Sequence, residues 1–133
     1  MSADDVVVPG PPPKGYSNGR IGRGAVLHVA GQVGWNEQLK FEHKDLVPQF
    51  AKALDNVLAV VAAAQGKPTD IAEMTVYVTD LDAYRRGRQE LGAIWKQRLG
   101  RHYPAMALVE VKGLLEPDAL VEIQAVAYVE SAP

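Results

Sequence analysis

Two charged residues stand where charge is costly, Arg88 and Glu122. Leu81, Tyr84, Leu91 and Trp95 recur at helical spacing, and at about 100° per residue Arg88 falls inside that apolar stripe. A guanidinium among core-facing residues needs a carboxylate, a set of carbonyls or a ligand, because an unpaired buried charge is expensive. Alternatively, its stem lies over the aromatic rings and its head reaches water. Glu122 is flanked by Val121 and Ile123, so strand alternation turns it to the opposite face from those two. Open to water, it is an ordinary surface acid. Covered by a neighbouring subunit, it becomes a partly desolvated carboxylate able to hold a proton or orient a water.

Other chemistries find little support. His28, His43 and His102 lie far apart and form no metal-ligand spacing. The serines Ser2, Ser17 and Ser131 lie near the termini, with no nucleophile-elbow glycines around them, and there is no cysteine. No cofactor is implied. The net charge of −2 argues against nucleic acid as a partner, since phosphate binding calls for a basic surplus. A local basic cluster of Arg85, Arg86, Lys96, Arg98 and Arg101 has Glu90 among it and reads as a solvated helix face. The acidic Met1-Ser2-Ala3-Asp4-Asp5 start lacks the basic flank and apolar run of a signal peptide. The longest apolar stretch, around Val57 to Ala64, is too short for a bilayer span. The expected setting is cytoplasmic, without a membrane.

The elements that must position Arg88 and Glu122 follow from periodicity. At 133 residues with no composition break, the chain reads as one domain over residues 1–133. Residues 1–18 hold Pro9, Pro11, Pro12 and Pro13 and are extended rather than helical. Arg20 to Gly22 reads as a short edge strand and Ala25 to Val33 as a longer one. Asp45 is positioned to cap a helix with Pro48 in its first turn and Phe50, Leu54, Val57, Leu58 and Val61 on its apolar side, stopped by Gly66 and Pro68. Ile71 to Val78 is a strand, and Asp80 caps a second helix reaching about Leu99. Met106 to Val111 and Leu120 to Val129 complete the order β-β-α-β-α-β-β. This is an α+β chain, a mixed sheet with two helices packed on one face. The other face of the sheet would then need a partner, and self-association is the economical answer.

Five phrases in order resemble one family. They are Pro13-Lys14-Gly15-Tyr16-Ser17-Asn18-Gly19, His28-Val29-Ala30-Gly31-Gln32-Val33, Leu54-Asp55-Asn56-Val57, Thr75-Val76-Tyr77-Val78-Thr79-Asp80-Leu81, and Tyr103-Pro104-Ala105 with Val121-Glu122-Ile123. Together they span about residues 13 to 129 and resemble the Rid/YjgF (reactive intermediate deaminase) family. The resemblance implies a chorismate-mutase-like fold and a homotrimer whose sheets line a central barrel, with clefts between subunits and no metal or organic cofactor. Many members hydrolyse enamine or imine intermediates such as 2-aminoacrylate to a keto acid and ammonia. In them an arginine two residues after the proline grips the substrate carboxylate.

Carried over by position, the family's tyrosine is Tyr16, its glycine Gly31 and its late glutamate Glu122. The arginine position holds Met106, and the position of a helical asparagine holds Arg88. Losing the bidentate grip makes ordinary 2-aminoacrylate deamination doubtful unless Arg88 supplies the guanidinium from the helix. Met106 and Leu108 would then leave a more apolar pocket, with Trp35 as an aromatic wall. That pocket suits a larger, less polar imine or carboxylate ligand, as in relatives acting on 2-aminomuconate. The leading expectation is an imine/enamine deaminase, a hydrolase of altered specificity. The alternatives are a trimer that binds a small metabolite without turnover, and a ribonuclease or translation inhibitor.

Overall fold

A computed structural model describes residues 4–130. Strand β1 (Asp4–Asp5) pairs antiparallel with β2 (Arg20–Ile21), which makes a small separate sheet of the N-terminal arm. The main sheet contains β3 (Ala25–Val33), β4 (Ile71–Val78), β5 (Ala105–Glu110) and β6 (Val121–Val129), ordered β3-β6-β4-β5. Only β4 and β5 run parallel, so the sheet is mixed and the chain is α+β. Both β3 and β4 fall on the expected residues. The alternation of β6 is strict: Val121, Ile123, Ala125, Ala127 and Val129 are buried, while Glu122, Gln124, Val126 and Tyr128 point the other way. Gly24 precedes β3 with φ +119°, and a Cβ there would come within 2.2 Å of the Val129 carbonyl. Only glycine allows that approach.

Helix α1 (Leu46–Ala63) buries Phe50, Ala53, Leu54, Val57 and Val61 against the sheet. Its length and composition alone would suit a bilayer, but these buried residues make it the core helix of the fold. Asp45 occupies the cap position without accepting a side-chain hydrogen bond. The work at this end falls to Gln49, which is 1% exposed. Its Nε2 donates to the carbonyls of His43 and Asp118, both at 2.9 Å, and its Oε1 accepts from Leu120 N–H at 2.8 Å. These bonds tie the start of α1 to the segment entering β6.

The expected second helix is two, α2 (Leu81–Arg86) and α3 (Arg88–Leu99), so three helices cover the sheet rather than two. Asp80 caps α2 as expected, accepting from Ala83 N–H at 3.1 Å. The break at Gly87 has a packing cause. Gly87 is buried, and a Cβ there would lie 2.9 Å from Val47 Cγ2 of α1. The core-facing line of α3 therefore runs through Gly87, Leu91, Trp95 and Leu99, and Arg88 stands one residue to its side. Arg98 ties α3 to α1 through Asp55, with Nε–Oδ1 at 2.6 Å and a second contact at 3.3 Å.

The outer face of the sheet carries Thr75, Tyr77, Glu122, Gln124 and the half-exposed Val26 and Val109. Tyr77 donates to Gln124 Oε1 at 2.6 Å across it.

Candidate functional site

The residues singled out in the sequence fall into two groups on opposite faces of the sheet. The first lies on the helix side, at the β5 edge. Tyr16, Arg88, Met106 and Leu108 line one cleft of about 360 Å³, with Leu81 and Tyr84 behind them. Each is placed by ordinary local structure. Met106 and Leu108 alternate on β5 toward the helices and are half-buried. Arg88 opens α3 directly after the break. Tyr16 is brought in by its neighbour Ser17, which pairs beside Ala105 and donates from N–H to the Pro104 carbonyl at 2.9 Å. The Ser17 hydroxyl also bonds the Tyr103 carbonyl and Asp5 Oδ1, and Arg20 pairs with the same aspartate. Outside the cleft lining, Glu110 Oε1 accepts Leu81 N–H at 2.9 Å and fixes the start of α2 to the end of β5.

Arg88 is exposed, which corrects its expected place inside the apolar stripe; the stripe passes through Gly87 instead. Among the described residues it makes no hydrogen bond or ion pair. Arg85 pairs with Asp82 and Arg98 with Asp55. Arg88 thus presents a guanidinium to a cleft that supplies no acid. Burial pushes the Tyr84 phenol above its usual range, while the nearby Arg88 charge pulls it back down. Tyr84 is therefore a neutral donor at ordinary pH.

The second group is Gly31 and Glu122 on the outer face. The β3–β6 register shifts between Val29 and Gln32, and Gly31 sits in that irregularity. The Glu122 side chain lies across it: a Cβ on Gly31 would be 2.2 Å from Oε2 and 2.7 Å from Cδ. Glu122 is half-buried and, among the described residues, its carboxylate has no hydrogen bond. Trp35 joins neither group. It packs on Phe41 with centroids 5.8 Å apart, and its carbonyl accepts from Asn56 Nδ2 at 3.0 Å.

His102 uses Nε2 to donate to the Ile71 carbonyl at 2.7 Å, and burial lowers its pKa below 6.5. Among the described residues no group of three or more His, Cys, Asp or Glu could hold a metal ion.

A mixed four-stranded sheet with helices on one face and a cationic cleft at its edge defines a small α+β protein of YjgF-like fold. The family described as Endoribonuclease L-PSP matches residues 10–129, and the chain belongs to it, the Rid/YjgF family. A RutC family protein of Pyrococcus horikoshii is 30% identical over 121 residues, 90% of this chain and 92% of that one. The 2-iminobutanoate/2-iminopropanoate deaminase of Escherichia coli K12 is 33% identical over 104 residues, 78% and 80% of the two chains. Among solved structures, a Rid-family protein of unknown function from Yersinia pestis superposes with a TM-score of 0.85 at 25% identity. It covers 97% of this chain and 100% of its own.

Proposed function

We propose that the protein is a cytoplasmic homotrimeric deaminase that hydrolyses the C=N bond of imino acids in clefts between subunits. The observation that carries this reading is Arg88, an exposed guanidinium without an acidic partner at the mouth of a cleft walled by Tyr16, Met106 and Leu108. A substrate carboxylate is its natural counter-ion. The uncovered outer face supplies the second half. A neighbouring subunit packed on the β5 edge brings its own Gly31 and Glu122 toward that cleft, which a single chain cannot do.

In the assembled cleft, Arg88 holds the carboxylate and Tyr16 closes over the bound molecule. Glu122 removes a proton from water, whose oxygen adds to the imine carbon. The carbon–nitrogen π pair moves to nitrogen and takes up a proton. The resulting carbinolamine collapses, expelling ammonia and leaving the 2-oxo acid. Hydrogen bonds to a charged group contribute about 1.5–3 kcal/mol each. With Met106 in place of a strand guanidinium, the grip depends chiefly on Arg88, since Arg85 is already paired with Asp82, and the specificity is altered away from 2-aminoacrylate. Support for the chemistry comes from the 33% identity to an imine deaminase.

The test compares wild type with Arg88→Ala and Glu122→Gln, by imine turnover, 2-oxo acid binding and melting temperature. Arg88→Ala is expected to weaken binding about ten- to a hundredfold with melting within roughly ±0.5 kcal/mol of wild type, since it breaks no internal pair. Glu122→Gln keeps binding and loses turnover. Unchanged affinity in Arg88→Ala sinks the reading. Binding by a wild type that turns over no imine leaves only a metabolite-binding trimer.

A further inference from the structure

Behind the Arg88 cleft lies a second cavity of about 310 Å³, continuous with it through Tyr84, Arg88 and Met106. Four aromatic rings line it, Phe50, Tyr84, Trp95 and Tyr103, together with Leu91 and the helical Gly92, while Lys14 adds a second cation at its wall beside Arg88. These rings pack on one another and on the backbone. Trp95 and Tyr103 stack at 6.1 Å with planes 4° apart, and Trp95 Nε1 donates to the His102 carbonyl at 3.1 Å. Phe50 meets Tyr84 edge-on at 6.3 Å. Phe50 and Trp95 are 2% and 8% exposed, so both are packed into the core, while Tyr84 and Tyr103 are half-buried.

We infer that this cavity is a side-chain subsite of the same site, and that the preferred substrates are imino acids carrying an aryl group. The inference rests on Arg88 as the carboxylate anchor. A planar ring gains offset and edge contacts from aromatic walls that a methyl group cannot reach. The space is sufficient, since a cavity of roughly 150 Å³ accommodates a benzene ring. The position of Arg88 at the junction sets the geometry, with the carboxylate at the mouth and the ring behind. Met106, unbranched and apolar, forms the shared wall where an arginine would place a charge beside the ring.

Gly92 makes the inference testable. It lines the cavity, and a Cβ added there meets nothing within 4 Å. Gly92→Leu therefore adds apolar bulk at the exposed rim of the cavity, one helical turn from Arg88, and leucine is the better helix former, so the fold is kept.

The probes are two inert 2-oxo acids, phenylpyruvate and pyruvate, titrated calorimetrically into wild type, Gly92→Leu and Arg88→Ala. Burying the ring is expected to make phenylpyruvate bind about thirtyfold tighter than pyruvate to the wild type. Gly92→Leu should bring the ratio of the two affinities to about one, the ratio being read because any effect of the new side chain on Arg88 acts on both ligands alike. Equal affinities in the wild type, or an advantage that survives Gly92→Leu, overturn the subsite. Arg88→Ala reads the anchor separately: pyruvate binding that survives it removes the functional reading, while the Gly92→Leu comparison still decides the cavity.

Discussion

If Glu122 activates water as proposed, adding a single methyl group at Gly31 is expected to disable imine turnover by moving it. The new Cβ would stand 2.2 Å from Oε2, 2.7 Å from Cδ and 3.0 Å from Cγ of that side chain. Ordinary contact begins near 3.4 Å, so the carboxylate must retreat by about 1.2 Å. A misplacement of about 1 Å can cost roughly a hundredfold in rate, and that is the expected fall in kcat for Gly31→Ala. Stability should change little. The colliding atoms are the far end of a flexible side chain, whose displaced rotamer costs about 0.5–1.5 kcal/mol. The loss of a glycine from the unfolded chain offsets about 0.4–1 kcal/mol of that. Imine turnover and thermal melting on Gly31→Ala, Glu122→Ala and the double variant form a cycle. The second substitution should add almost nothing, because without the glutamate the methyl has nothing to displace. Full activity in Gly31→Ala, or a fresh loss when it is added to Glu122→Ala, would refute the coupling.

Light scattering on the eluting peak should give three times the 14.4 kDa chain mass, and a monomer at micromolar concentration would remove the shared cleft. Turnover of 2-aminoacrylate, followed by pyruvate formation, should be slow, and Met106→Arg should raise it unless Arg88 repels the new charge. The folded protein holds His102 neutral, with a pKa depressed below 6.5 chiefly by burial. Its contribution is complete above that value and is lost as pH falls toward the folded pKa. Melting temperature should therefore fall as the pH drops below about 6.5, by less in His102→Gln.

Much of the architecture was legible because it is local. The Val- and Leu-rich run of Ala25–Val33 and the sheet-favouring Thr75 to Val78 within Ile71–Val78 mark both strands to the residue, and the helical recurrence from Phe50 to Val61 marks α1. The need for a glycine at the Gly87 break was not legible, since the side chain that leaves no room for a Cβ, Val47, comes from another helix. Gln49 likewise reads as a solvent-facing residue until His43, Asp118 and Leu120 fold around it. Of the site, Tyr16, Arg88, Met106 and Leu108 do converge, and Gly31 does lie under Glu122. Trp35 stays apart, held by Phe41 and Asn56. Phe50, Trp95 and Tyr103 were indistinguishable from core packing, because only the tertiary arrangement shows which core rings also border a cavity.

The most direct test is a crystal structure with 2-oxobutanoate bound. The carboxylate should lie within about 3 Å of the Arg88 guanidinium of one subunit, with Glu122 of a neighbouring subunit facing the carbonyl carbon. A 2-oxobutanoate bound elsewhere, with Arg88 turned to solvent, would contradict the account.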